Sequence, residues 1–127
     1  MKYLLDTHTL IWYFEDSPKL PVAVYGLIDD AAIEKFACSI SLWEIAIKSS
    51  IGKMEMRFSF DYLLGLITSS DLTILHIADE HLKGIANLPQ IHKDPFDRLL
   101  ISTAQSERMT IITIDENIHK YDVLSMW

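Results

Sequence analysis

The segment His92-Lys93-Asp94-Pro95-Phe96-Asp97-Arg98-Leu99-Leu100-Ile101-Ser102-Thr103-Ala104 limits the fold more than any other part of the chain. Asp94 can cap a helix that Pro95 opens, because a proline at the first helical position gives up no hydrogen bond it would otherwise make. Asp97 then falls in the first turn, where free backbone N–H groups and the helix dipole favour negative charge. Leu100, Ile101 and Ala104 continue an apolar face. A β-rich run, Thr110 to Ile114, follows and stops at Asp115. A parallel strand delivers its C-terminal residue to the sheet rim, where open α/β folds keep their chemistry, so Asp97 and Asp115 are candidates for one rim.

The rest of the chain follows the same pattern. Tyr3-Leu4-Leu5 is a short apolar run that stops at Asp6-Thr7-His8-Thr9, after which Leu10, Ile11, Tyr13 and Phe14 supply apolar surface for a helix. Pro18 and Pro21 punctuate the next loop, and Val22 to Ile28 reads as a second helix. Lys35 to Ile40 is the next strand. Ser41-Leu42-Trp43-Glu44 has capping-box spacing, with Ser41 at the N-cap and Glu44 at N3, and predicts a helix to about Ser50 that Gly52 stops. Phe60 to Ile67 predicts a helix, Leu72 to Ile77 a strand, and Ala78 to Ala86 a helix ending before Asn87-Leu88-Pro89. A turn is expected near Asp115-Glu116-Asn117, and Tyr121 to Trp127 is read as a last strand on the sheet edge. Strands alternating with helices of these lengths indicate a mostly parallel sheet with helices on both faces.

A chain of 127 residues is expected to form one domain, residues 1–127, around one well-filled core. Its 11 Lys plus Arg against 18 Asp plus Glu give a formal charge of -7, which argues against broad, backbone-driven nucleic-acid binding. It leaves open a phosphodiester substrate met through metal ions, since a carboxylate cluster inflates the negative count and the ion reverses the local field. The single Cys38 lies in an apolar run, reads as a buried small hydrophobe and fits a reducing, cytoplasmic setting. Neither a signal peptide nor a membrane span is expected.

Four acids occupy equivalent kinds of position: Asp6 after the first strand, Glu44 in the helix after a later strand, Asp97 in the first turn of its helix, and Asp115 after another strand. Converging without a counterion they would repel one another, and a hard divalent cation resolves that conflict, because Mg²⁺ and Mn²⁺ favour oxygen ligands. A cation so held can activate water and stabilise charge on a phosphodiester. Asp6, Glu44 and Asp97 are assigned the metal-organising role. Asp115 is assigned a second metal site or the orientation of water. Thr7 and Thr113 are read either as hydrogen-bond partners of these acids or as strand-end caps.

Each of these residues also has a plain structural reading. The capping box accounts for Glu44, and the N-cap accounts for Asp94. His8 can touch substrate or pack locally, and His92 can order the loop before Asp94. Lys48, one turn after Glu44, can pair with that acid or bind product. Arg98 can neutralise Asp94 or contact phosphate. Trp12, Trp43 and Trp127 read as core or interface anchors. His76, His81 and His119 have no zinc-like spacing, and the chain lacks a phosphate loop, a dinucleotide fingerprint and a G-x-S-x-G elbow.

Taken together these motifs resemble a PIN-domain ribonuclease, especially the VapC-type toxin of a type II toxin–antitoxin pair. Leu4-Leu5-Asp6-Thr7-His8, Ser41-Leu42-Trp43-Glu44-Ile45-Ala46-Ile47-Lys48, His92 to Ile101 and Thr113-Ile114-Asp115 resemble the family's four acidic motifs in order, and the similarity runs over essentially the whole chain. The resemblance implies a three-layer α/β/α sandwich, a homodimer, and Mg²⁺- or Mn²⁺-dependent RNA cleavage leaving 5′-phosphate and 3′-hydroxyl ends. It places catalysis and metal binding on Asp6, Glu44, Asp97 and Asp115. It further implies a cognate antitoxin whose C-terminal segment occupies a groove near the site, and tRNA, rRNA or mRNA as target. Ser102-Thr103 stands where this subgroup often has Ala-Gln, a change expected on the helix surface near that groove. The competing readings are a PIN nuclease in RNA processing without an antitoxin, a non-catalytic binding module whose acids cap helices, and a receiver-like phosphoacceptor. The last lacks an adjacent acidic pair after its first strand.

Overall fold

A computed structural model describes all 127 residues. The elements run β1 (Lys2–Leu5), α1 (Thr7–Phe14), α2 (Val22–Asp29), β2 (Glu34–Cys38), α3 (Ser39–Ser50), α4 (Phe60–Ser69), β3 (Thr73–Leu75), α5 (Asp79–Ile85), α6 (Pro95–Glu107), β4 (Thr110–Ile112), α7 (Glu116–His119) and β5 (Ser125–Met126). The five strands lie in the order β3-β2-β1-β4-β5, and every pairing is parallel. The expected sandwich is therefore present, with its sheet parallel throughout. No helix is long and apolar enough to cross a membrane.

Period-two alternation in β1 and β4 sorts the core into two layers. Leu5 and Ile112 face a cluster with Leu10, Val24, Ile28, Ile45, Leu63 and Ile67 from α1 to α4. Leu4 and Ile111 face the opposite cluster, with Leu99, Leu100, Ile101, Ala104 and Ile118 from α6 and α7. Fully burying each such aliphatic side chain is worth about 1.5–3 kcal/mol, so a one-residue register slip in β1 would forfeit both layers at once.

Successive crossovers carry the chain from β1 outward to β2 and β3, and then back across to β4 and β5 on the other side. The direction reverses beside β1, and the carboxyl ends of β1 and β4 open onto that switch point. Asp6 N–H extends the ladder by donating to Ile112 O at 3.1 Å. The tail does form the edge strand, held by Ile111 N–H to Leu124 O and Thr113 N–H to Met126 O.

Several local expectations need correction. Strand β2 stops at Cys38, which is the N-cap of α3, so the helix starts at Ser39 and Ser41 lies inside it. The capping box therefore does not form. Cys38 is the last residue paired with β3, and the chain turns helical as soon as that ladder ends. Ser41 Oγ is left buried without a hydrogen-bond partner. The Asp115 to Asn117 turn tightens into the short helix α7, capped by Asp115. Ser102 and Thr103 are buried in α6, where Ser102 donates to His81 O and Thr103 to Leu99 O, so the departure at these positions alters packing against α5 and leaves the outer surface unchanged.

Candidate active site

Asp6 leaves β1 in extended conformation and caps α1, accepting Thr7 N–H on Oδ1 at 2.7 Å. Its Oδ2 accepts the Thr113 hydroxyl at 2.7 Å, from the end of β4. The same Thr113 oxygen receives Asp115 N–H at 2.9 Å, while the Asp115 side chain caps α7 through Asn117 N–H. Thr7 Oγ1 donates to Glu44 Oε1 at 2.7 Å, and Lys48 Nζ donates to Glu44 Oε2 at 2.5 Å. One connected path thus runs Asp115, Thr113, Asp6, Thr7, Glu44, Lys48. Both threonines are the hydrogen-bond partners read from sequence, and Lys48 is the pair of Glu44.

Asp97 approaches from α6, whose start is built as expected: Asp94 Oδ1 accepts Phe96 and Asp97 N–H, and Pro95 opens the helix. Burial, against the pull of a hydrogen bond from His92 and with a further push from the charges of Asp6, Asp94 and Asp115, raises the Asp97 carboxyl to about 7. Burial likewise pushes Asp6 up, against the pull of Thr113, the Thr7 N–H and His8, and with a further push from Asp115. Lys48 is held above its ordinary value first by its hydrogen bond to Glu44, and also by Asp94 and Asp97. The acids therefore share one electrostatic neighbourhood, and Lys48 is the cation bonded into it.

Oxygen donors with excess negative charge are the donor chemistry of a hard divalent cation, and in that respect the residues fit one. No three His, Cys, Asp or Glu side chains stand close enough to form a ready-made metal site, however. Glu44 is the member already engaged on both oxygens, by Thr7 and Lys48.

Two features escaped the sequence. His92 Nε2 bonds Asp97 Oδ2 at 3.1 Å, and its partner on the other side is Tyr121, 29 residues away, which no local pattern marks. Arg98 neither pairs with Asp94 nor faces outward; it is buried and donates to Leu88 O, Pro89 O and Tyr121 Oη. The largest cleft, about 630 Å³, opens beside the acids, not over them. It is lined by His8, Trp12, Lys19, Lys48, Lys53 and Arg57, together with Glu15 and Glu55. Lys19 Nζ lies 5.7 Å from the Trp12 ring centroid, and His8 packs against the same ring. Trp43 is exposed and packs edge-on to Phe96, while Trp127 packs edge-on to Trp12.

The chain matches the family described as PIN domain over residues 3–124. No curated protein matches its sequence. Among solved structures, VapBC2 from Rickettsia felis bound to a DNA fragment from its promoter is 19% identical with a TM-score of 0.75, covering 99% of this chain and 98% of that one. VapBC-1 from nontypeable Haemophilus influenzae is 17% identical with a TM-score of 0.71, covering 99% and 97%. FitAcB from Neisseria gonorrhoeae is 18% identical with a TM-score of 0.67, covering 98% and 96%. At these identities the likeness is one of fold.

Proposed function

This chain belongs to the PIN-domain family, and on that premise we propose that it is a metal-dependent endoribonuclease acting as the toxin of a toxin–antitoxin pair. The observation that carries the reading is the hydrogen-bonded path from Asp115 through Thr113, Asp6 and Thr7 to Glu44 at the topological switch point, with Asp97 in the same electrostatic neighbourhood. Fold likeness to a toxin–antitoxin complex from Klebsiella pneumoniae supports the antitoxin partner, and a homodimer belongs to the same reading.

Asp6, Glu44 and Asp97 would hold Mg²⁺ or Mn²⁺, with Asp115 near a second position or a water. When bound, the ion supplies charge neutralisation for the phosphodiester and lowers the cost of deprotonating water. Thr113 and Thr7 fix the Asp6 and Glu44 oxygens so that little reorganisation is needed. Asp97, whose Oδ2 is held by the His92 ring, keeps Oδ1 for the ion, and the attacking water gives its proton to solvent. Water oxygen bonds to phosphorus and the P–O3′ bond breaks. The 3′ oxygen takes up a proton, leaving 5′-phosphate and 3′-hydroxyl ends. Lys48, bonded to Glu44, is the cation within reach of the site that would pair with a phosphate oxygen if Glu44 served the ion. The adjacent cationic cleft accommodates the flanking single strand through Lys19, Lys53 and Arg57.

The reading is tested by mapping RNA 5′ ends across the transcriptome after brief induction of the parent and of Asp97→Asn. New 5′-phosphate ends confined to the parent support it; identical maps reject it. An open reading frame for a small partner directly upstream supports the toxin assignment over RNA processing without an antitoxin.

A further inference from the structure

Behind Asp97 stands a hydrogen-bonded chain that the acids alone do not explain. Tyr121 Oη receives two N–H groups, from His92 backbone N at 3.2 Å and from Arg98 Nη1 at 3.2 Å. Both lone pairs of the phenol oxygen are thereby used, so its own hydrogen is the one left to give. It points at His92 Nδ1, 2.7 Å away. Nδ1 is therefore the acceptor, the ring carries its proton on Nε2, and Nε2–H donates to Asp97 Oδ2 at 3.1 Å. The root of the chain is buried: Arg98 donates to Pro89 O at 2.7 Å and Leu88 O at 3.3 Å. Tyr121 is buried as well, and its ring meets His92 edge-on at 5.4 Å.

We propose that His92 is a positioning residue for the reaction, in which the Arg98–Tyr121–His92 chain fixes one oxygen of Asp97 and leaves the other turned to the acid cluster for a divalent cation. This rests on the reading given under Proposed function. The device is specific in its direction. Arg98 follows Asp97 in sequence yet does not bond to it, and reaches it only through residues 121 and 92. A guanidinium bonded directly to Asp97 would neutralise the carboxylate that a cation needs. A neutral imidazole N–H holds it in place without doing so. It also ties α6 to the loop before it and to the segment between α7 and β5, so the carboxylate keeps its orientation only while all three are docked.

The test compares the parent with His92→Ala, His92→Gln and Tyr121→Phe, each first shown to melt cooperatively. Mn²⁺ affinity is measured by titration calorimetry on RNA-free protein, and single-turnover cleavage on a single-stranded RNA oligonucleotide. His92→Ala is expected to weaken Mn²⁺ binding by about tenfold or more and to lower kcat with KM for RNA unchanged. His92→Gln, which keeps an N–H donor of similar reach, recovers most of both. Tyr121→Phe, which frees the ring to choose either tautomer, loses severalfold. If His92→Ala binds Mn²⁺ as tightly as the parent, or His92→Gln is as impaired as His92→Ala, the positioning role is overturned while the nuclease reading stands. A parent that binds no Mn²⁺ and cleaves no RNA overturns both.

Discussion

Thr7 Oγ1 donates to Glu44 Oε1 at 2.7 Å across 37 residues of sequence, while the Thr7 backbone N–H binds Asp6 Oδ1 at 2.7 Å. One residue therefore spaces two acids that only folding brings together. Replacing it by the near-isosteric valine keeps the volume and removes the hydroxyl. Glu44 Oε1 is then buried without that donor, a loss of about 1.5–3 kcal/mol for a hydrogen bond to a charged group. Thr7→Val is expected to lower the melting temperature and cleavage rate together, and Thr7→Ser to restore both. Parental melting and cleavage in Thr7→Val would show that the hydroxyl is dispensable.

Asp97 yields a prediction of opposite sign for stability and activity. Burial and three neighbouring carboxylates make its charge unfavourable in the folded protein without metal. Asp97→Asn keeps an oxygen that can accept the His92 Nε2–H and removes the charge. It should lower turnover by at least about a hundredfold, the scale of lost electrostatic catalysis, yet melt at or above the parent at pH 8. Melting curves without divalent ions and single-turnover cleavage decide it. A variant that cleaves at the parental rate removes Asp97 from the site.

Much of this arrangement was written locally. Asp94-Pro95 specified the start of α6, and alternation in Leu4-Leu5 and Ile111-Ile112 specified a sheet covered on both faces, because caps and pleat act over a few residues. Glu44 shows where local reasoning misled. The Ser41-to-Glu44 spacing matched a capping box, but the ladder of β2 with β3 ended at Cys38 and the helix began there, so tertiary pairing decided the boundary. Freed from capping, Glu44 is turned inward to Thr7 and Lys48. The His92–Tyr121 contact was illegible because it joins the loop before α6 to the segment after α7, and nothing in either stretch marks the other.

The raised Asp97 carboxyl also sets a pH dependence. An unfolded aspartate loses its proton near 3.8, whereas the folded group holds it to about 7. Between those values the folded state binds more protons, so stability without metal is highest below about pH 4 for this group and falls as pH rises through 7. The contribution is on the order of 2–4 kcal/mol. Urea denaturation at pH 5, 6, 7 and 8 should show the parent losing ground to Asp97→Asn as pH rises, and Mn²⁺ should flatten the difference. Parallel curves for the two proteins would contradict it.

Lys48 stands where a cation is needed, bonded to Glu44 at 2.5 Å with its ammonium 5.6 Å from the Phe96 ring centroid. Lys48→Met removes the resident positive charge and leaves Glu44 free to bind an added one. Without metal the variant should melt below the parent, since a buried carboxylate loses its partner. Mn²⁺ should then raise its melting temperature more than it raises the parent's, and should raise Glu44→Gln least of all. Equal shifts in the three proteins would exclude Glu44 from metal binding.

The cleft beside the acids concentrates Lys19, Lys48, Lys53 and Arg57 in a chain of net charge -7, so its attraction for a polyanion is local and should be removable by local substitution. Lys19 and Lys53 are exposed and neither bonds to any of the four site acids, which makes them clean probes. Charge reversal by Lys19→Glu or Lys53→Glu, placed in the inactive Asp97→Asn background, is expected to weaken binding of a single-stranded RNA oligonucleotide severalfold without changing the melting temperature. Because every phosphate neutralised by a lysine releases counterions, the slope of log affinity against log salt should become shallower by about 0.7 for each phosphate no longer neutralised. Fluorescence anisotropy over a salt series reads that slope directly, and unchanged slopes in both variants would place the RNA strand elsewhere on the surface.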